Sequence, residues 1–221
     1  MCLSLKSMGS NSRGLGRLAS DLFSRAPRAG ISRRVFRRLT VEVGVSIDPA
    51  ITQLGYCIWY DNTAVCADLF EYKTRGTVSE RSIRIAQAFA SWLEYDWTNQ
   101  LSWVAVEDQI IRPRSPYNQA IMTLKTAADT VSAVLLERFG SPEIVRYLPE
   151  TWKGSMSKQS TEMHITGDHF KRPGRLRPEE LLIFQLPECY TPFRERTQVQ
   201  KKRASDVFDA VGIGLRYLGR F

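Results

Sequence analysis

Four acidic side chains in this 221-residue sequence are placed so that they could act together. Asp48 ends the β-rich run 41–48 (VEVGVSID) and is followed by Pro49. Glu107 ends a second short apolar run, 102–106, and Asp206 and Asp209 stand three apart near the C-terminus. A spacing of three puts two side chains on one face of a helix, here read as the first turn of a final helix over about 205–218. If the two strands are neighbours in a sheet, their C-terminal ends bring Asp48 and Glu107 together and the last helix can dock beside them.

Carboxylates crowded a few ångströms apart either take up protons or recruit cations. Hard oxygen donors select Mg²⁺ or Mn²⁺. Two such ions can hold the attacking and the leaving oxygen of a phosphodiester displacement. Taken singly, each acid has a simpler reading as a turn former before Pro, a solvated strand end or a partner of the helix dipole. Their joint placement points to hydrolysis of a nucleic-acid backbone.

The elements that must position these acids follow from patterning. Two further β-rich runs joined at Asp61-Asn62 read as a hairpin, giving three consecutive antiparallel strands. Ser79 offers an N-cap to a first helix in which Ile83, Ile85, Ala86, Phe89, Ala90 and Leu93 recur at helical spacing. After the strand ending at Glu107 come a long helix over 118–139, closed by Gly140, and a fifth strand over about 144–148. Strand, strand, strand, helix, strand, helix, strand, final helix is the order of the ribonuclease H-like topology. The fold class expected is α/β, a five-stranded mixed sheet flanked by helices, with a basic, irregular insertion over about 153–204.

Charge divides the chain at residue 40. Residues 1–40 carry nine basic side chains against Asp21 alone, so the net charge of +8 resides there and the remainder is neutral overall. This segment is expected to be a disordered basic tail, with a mitochondrial presequence, a DNA-binding arm and read-through from an upstream start as the other readings. Residues 41–221 are expected to form one catalytic domain. No apolar run is long enough for a membrane helix. Cys2, Cys57, Cys66 and Cys189 show no zinc or disulfide spacing, which suits a reduced compartment; Cys57 and Cys66 could face each other across the hairpin, although buried free thiols are the simpler reading. His164 and His169 beside Asp168 lack a third firm ligand for a separate metal site.

The motifs themselves resemble a known family. Residues 45–52 (VSIDPAIT), continuing to Leu54-Gly55-Tyr56, resemble the first motif of RuvC-type Holliday junction resolvases. Val104-Ala105-Val106-Glu107 is similar to the second, and residues 206–214 (DVFDAVGIG) to the closing helix. Thr151-Trp152-Lys153-Gly154, with Lys158 beyond, resembles the segment after the fifth strand in phage-encoded and bacterial members. The resemblance spans about 43–218 and implies a homodimeric endonuclease that cuts branched DNA, with Asp48, Glu107, Asp206 and Asp209 holding two Mg²⁺ or Mn²⁺ ions. It also implies that Lys153 and Lys158 contact phosphate or steady the transition state.

Arg112, Arg114, Lys201, Lys202 and Arg203 are further candidate DNA contacts. Where the familiar bacterial members carry an aromatic after the second motif, this chain has Asp108, Gln109, Ile110 and Ile111, so Ile110 or Ile111 would act as the apolar wedge. The alternatives are a nuclease of the same fold acting on flaps, hybrids or single strands, and a non-catalytic nucleic-acid-binding protein. Bacterial or phage-infected cytoplasm is the compartment expected, with the mitochondrial matrix as the alternative.

Overall fold

Asp61 and Asn62 turn the chain through positive φ, 45° and 65°, the geometry that a two-residue hairpin needs and that Asp and Asn tolerate. They join β2 (Gln53–Tyr60) to β3 (Thr63–Glu71), and β1 (Val43–Pro49) pairs antiparallel with β2 on the other side. The protein is described from a computed structural model over residues 41–98, 100–111, 116–168 and 172–221. The expected tail 1–40, Arg112, Arg114 and His169 lie outside the described residues.

β4 (Trp103–Glu107) and β5 (Glu143–Tyr147) complete a sheet of order β3-β2-β1-β4-β5, with β1, β4 and β5 mutually parallel. α1 (Val78–Asp96) and α2 (Asn118–Arg138) cover one face, where Val45, Ile47, Ile58, Val104 and Val106 meet Ile85, Phe89, Leu93, Val131 and Leu135. Gly140, at φ 70°, follows α2 as expected. α5 (Gln198–Tyr217) covers the other face, with Val207, Phe208, Val211 and Leu215 against Cys57, Trp59, Trp103 and Ala105.

Close approach of α5 to the sheet depends on missing side chains. A Cβ on Gly55 would fall 1.9 Å from the backbone oxygen of Asp206, and one on Gly214 would fall 2.4 Å from the Trp59 ring. The helix backbone at Asp206 therefore rests on β2, opposite Asp48 in the β1–β2 register.

Several expectations need correction. The first helix is capped by Thr77, two residues before Ser79, because Thr77 and Glu80 satisfy each other's backbone N–H groups in a capping box. The last helix starts at Gln198, seven residues before the expected Ser205, through a second box formed by Thr197 and Gln200. Asp206 and Asp209 thus lie in the body of α5, and Lys201, Lys202 and Arg203 belong to the helix. Cys57 and Cys66 do not face each other, lying on opposite faces of the sheet with one in each core, and are free buried thiols, as the simpler reading had it.

The expected irregular insertion is also largely ordered. It contains α3 (Pro149–Trp152), α4 (Lys158–Thr166), the hairpin β6 (Gly167–Asp168) and β7 (Arg172–Pro173), and 3-10 turns at Pro178–Leu182, Pro187–Cys189 and Phe193–Glu195. The buried Arg196 guanidinium donates to Glu162 at 2.6 Å and to the carbonyl of Thr191 at 2.8 Å, joining α4 to the segment before α5. Removing one partner of such a pair leaves a buried charge uncompensated and costs about 3–5 kcal/mol. Residues 183–185 lie along the outer edge of β3, exchanging two backbone hydrogen bonds with Ala67, which protects an edge otherwise open to pairing.

Candidate active site

Side chains alternate across a strand, and this alternation aims the first two acids. Val43, Val45 and Ile47 point toward α1 and α2, so Asp48 points with Ser46 toward α5. In β4, Val104 and Val106 likewise face α1 and α2, leaving Trp103, Ala105 and Glu107 on the α5 side. The parallel register pairs Ile47 with Val106, so Asp48 and Glu107 are the next residues of adjacent strands. Above them α5 presents Asp206 and Asp209, separated by less than one turn. All four predicted acids are gathered at the C-terminal ends of β1 and β4.

Their electrostatics record the crowding. Burial raises the Asp48 carboxyl well above its usual value, and Glu107, Asp209 and Asp206 raise it further, against the opposing effect of Lys153. Glu107 is pushed up to about 6, first by burial, with Lys153 opposing and Asp209 adding to the shift. Asp206 is raised by burial, opposed by its bond from Gln53 and by Lys158 and Lys202. The cluster is short of positive charge.

One ammonium enters it. Lys153 Nζ stands 2.8 Å from Asp209 Oδ2 and 3.7 Å from Glu107 Oε2. Burial would lower the Lys153 pKa, but Asp209, Glu107 and Asp48 outweigh it and hold the group charged. Glu107 has a protein donor on each oxygen, Gln109 Nε2 at 3.1 Å and Trp152 Nε1 at 3.0 Å, and Asp206 accepts from Gln53 Nε2. Among the described residues, no three His, Cys, Asp or Glu side chains stand in ligating geometry. Lys153, Trp152, Gln109 and Gln53 hold the acids through hydrogen bonds. The donor set nonetheless fits a hard divalent ion, being all carboxylate oxygen and electrically under-compensated. Asp48, Glu107, Asp206 and Asp209 would hold such an ion, with Lys153 sharing Asp209 through Oδ2.

The other candidates surround this centre. Lys158 opens α4 and acts on Asp206 through its charge. Ile110 and Ile111, just beyond Glu107, are 48% and 44% exposed. Lys202 is exposed, Lys201 lies over the Phe193 ring at 5.1 Å, and Arg203 is paired with Glu71 at 2.6 Å and Glu188 at 3.3 Å. Gln53, which donates to Asp206, lines with Glu71, Gln198, Val199, Lys202 and Arg203 a groove of about 440 Å³. Asp108, next to Glu107, turns instead to Lys125 and Arg146. His164 accepts from Arg175 and packs on Phe221. Sequence reading gave no role to Gln53, Gln109 or Trp152: Gln53 and Trp152 act over 153 and 45 residues, while Gln109, two residues after Glu107, and Trp152, beside Lys153, carried a local signal.

The metal-free protein is expected to lose stability as pH rises. A carboxyl whose pKa is higher folded than unfolded binds more protons in the native state between the two values. Its contribution is full below the unfolded value of 4.5 and lost through the folded value, about 6 for Glu107. Urea unfolding in a chelator at pH 5 and pH 7.5 measures this slope, and Glu107→Gln should reduce it. An unchanged slope would show that Glu107 is not one of the strained acids.

Three antiparallel strands followed by two parallel ones, in the order β3-β2-β1-β4-β5, settle the architecture. The chain has the ribonuclease H-like fold. No family model and no curated protein matches the sequence. Among solved structures it is similar to Thermus thermophilus RuvC in complex with Holliday junction substrate, with TM-score 0.49 and 19% identity over 80% of this chain and 97% of that one. It is also similar to the yeast mitochondrial Holliday junction resolvase, with TM-score 0.48 and 12% identity over 81% and 82% of the two chains. A third likeness is to the human cytomegalovirus terminase nuclease domain, Mn soaked and inhibitor bound, with TM-score 0.39 and 11% identity over 92% of each chain.

Proposed function

We propose that this chain is a divalent-metal-dependent endonuclease that hydrolyses phosphodiester bonds in branched DNA, a resolvase of four-way junctions. The observation that carries the proposal is the placement of Asp48 and Glu107 just past the last paired residues of neighbouring parallel strands, beneath Asp206 and Asp209, with three of the four acids raised in pKa. In this reading the four carboxylates hold Mg²⁺ or Mn²⁺, two ions per site. The ions would supply an activated water and stabilise charge on the leaving oxygen.

The remaining side chains have separate tasks in this reading. Lys153, beside Asp209, offers its ammonium to a phosphate oxygen. Lys158, Lys201 and Lys202 meet the backbone on either side, and the exposed Ile110 and Ile111 wedge between bases where strands part. Symmetric nicking of two strands needs two sites, so the working form is a homodimer. A carboxylate cluster repels phosphate unless metal is present, which disfavours a non-catalytic binder. None of the described helices is long and apolar enough to cross a membrane. The compartment that suits buried free thiols is a reduced one, bacterial or phage-infected cytoplasm, with the mitochondrial matrix as the alternative.

The test is cleavage of a synthetic four-way junction in Mg²⁺, beside flap, duplex and RNA–DNA hybrid substrates. Preference for the junction supports the proposal, preference for a flap or hybrid moves the chain to another substrate of the same chemistry, and no cleavage of any substrate overturns it. Residues 41–221 are proposed as the catalytic unit. Deleting residues 1–40, which hold the net charge of +8, should leave cleavage intact while weakening DNA affinity and flattening its dependence on salt, because fewer counterions are released. Affinity titrations across a salt series read both effects; an unchanged slope would assign the tail to something other than DNA.

A further inference from the structure

Trp152 touches three parts of the candidate site without being one of its acids. It is 3% exposed, closes the single turn α3 and donates its indole N–H to Glu107 Oε2 at 3.0 Å. Its ring lies against α5 at Gly212, where an added Cβ would come within 2.3 Å of a ring carbon. The Phe221 ring meets it edge-on at 5.5 Å between centroids. Lys153, the next residue, returns its ammonium to within 4.7 Å of the same ring while bonding Asp209.

Packing on Gly212 and Phe221 would suit any buried aromatic residue. The N–H is different because indole nitrogen only donates and has one direction, and here that direction ends on a carboxylate that also faces Lys153. With Gln109 on the other oxygen, both Glu107 carboxylate oxygens accept from protein donors. We propose that Trp152 is a positioning residue: its N–H fixes the orientation of Glu107, and its ring, seated on Gly212, sets the point from which Lys153 reaches Asp209. The strand-end acid, the ammonium and α5 are thereby held in register by one side chain. Outer partners of this kind typically change metal affinity or activity by about 10–100-fold when removed.

The inference rests on the nuclease reading above, and the experiment separates the two. Mn²⁺ affinity by calorimetry, and kcat and KM on a four-way junction, are measured for the wild type and for Trp152→Phe, which keeps an aromatic ring and loses the donor. A second variant carries 3-benzothienylalanine at position 152, which replaces N–H by sulfur in a ring of nearly the same shape, so a readout remains if Trp152→Phe does not fold. Expected is a folded protein with Mn²⁺ affinity and kcat each lowered about 10-fold or more and KM for DNA unchanged. Purely structural packing would instead lower unfolding stability and leave the benzothienyl protein indistinguishable from the wild type. Wild-type Mn²⁺ affinity and kcat in a folded variant, or a change in KM alone, overturns the positioning role while the nuclease reading stands. A wild type that neither binds Mn²⁺ nor cuts overturns both.

Discussion

Asp48→Asn should give a folded protein that binds DNA and no longer cuts it. The substitution conserves volume at the end of β1 and removes one charge from a site where Glu107, Asp209 and Asp206 all act on the carboxyl. If Asp48 is a direct metal ligand, its loss should exceed the 10–100-fold typical of outer-shell partners, so a fall in single-turnover rate of more than about 100-fold is expected. DNA affinity measured in a chelator should hold or tighten, since repulsion of phosphate weakens. The metal-free protein should also melt higher than the wild type, because a buried and crowded charge has been deleted. Cutting at near the wild-type rate would remove Asp48 from the catalytic set and, with it, the resemblance drawn from residues 45–52.

Legibility of this site in the sequence divides by the range of the interactions involved. Asp48 and Glu107 could be read because a β-rich run ending in an acid is a local pattern, and alternation then aims both acids at the same face. Topology added their adjacency, and the observed β1–β4 pairing bears it out. Asp206 and Asp209 were legible as a pair, but their place in α5 was not. The box of Thr197 and Gln200 starts the helix, and the solvated run Lys201-Lys202-Arg203 disguised its first turns as a loop.

What escaped were the roles of Gln53 and Trp152 in holding the acids. Gln53 lies 153 residues from Asp206, and Trp152 lies 45 from Glu107. Many donors in the chain could have served, and no local pattern selects these. The role of Lys153 changed for the same reason. Taken alone, a lysine near a phosphate-cutting site suggests a phosphate contact, whereas in the structure its ammonium bonds Asp209 Oδ2 at 2.8 Å. Residues 153–204 read as irregular because their order depends on buried long-range pairs such as Glu162–Arg196 and Glu180–Arg220 rather than on periodic patterning.

The double substitution Asp206→Asn with Asp209→Asn should abolish stabilisation of the fold by divalent ions. In the wild type an ion that binds only the native state adds about 2.7 kcal/mol at a concentration 100 times its Kd. For a domain of this size that corresponds to a rise in Tm of about 5–10 °C. The gain is a difference, because the ion competes with a positive charge already present: Lys153 Nζ lies 2.8 Å from Asp209 Oδ2 and 3.7 Å from Glu107 Oε2. Apparent affinity should therefore be lower than four carboxylates alone would give. The double variant removes two of those carboxylates together with the bond holding Lys153. Its metal-free Tm should stand close to the wild-type value, since relief of repulsion offsets the lost ion pair, while its response to Mg²⁺ or Mn²⁺ should be flat. Thermal melts of both proteins with and without each ion make the comparison. A Tm rise of wild-type size in the double variant would mean that the ion binds elsewhere, and the acids on α5 would then have to be explained as a structural network around Lys153.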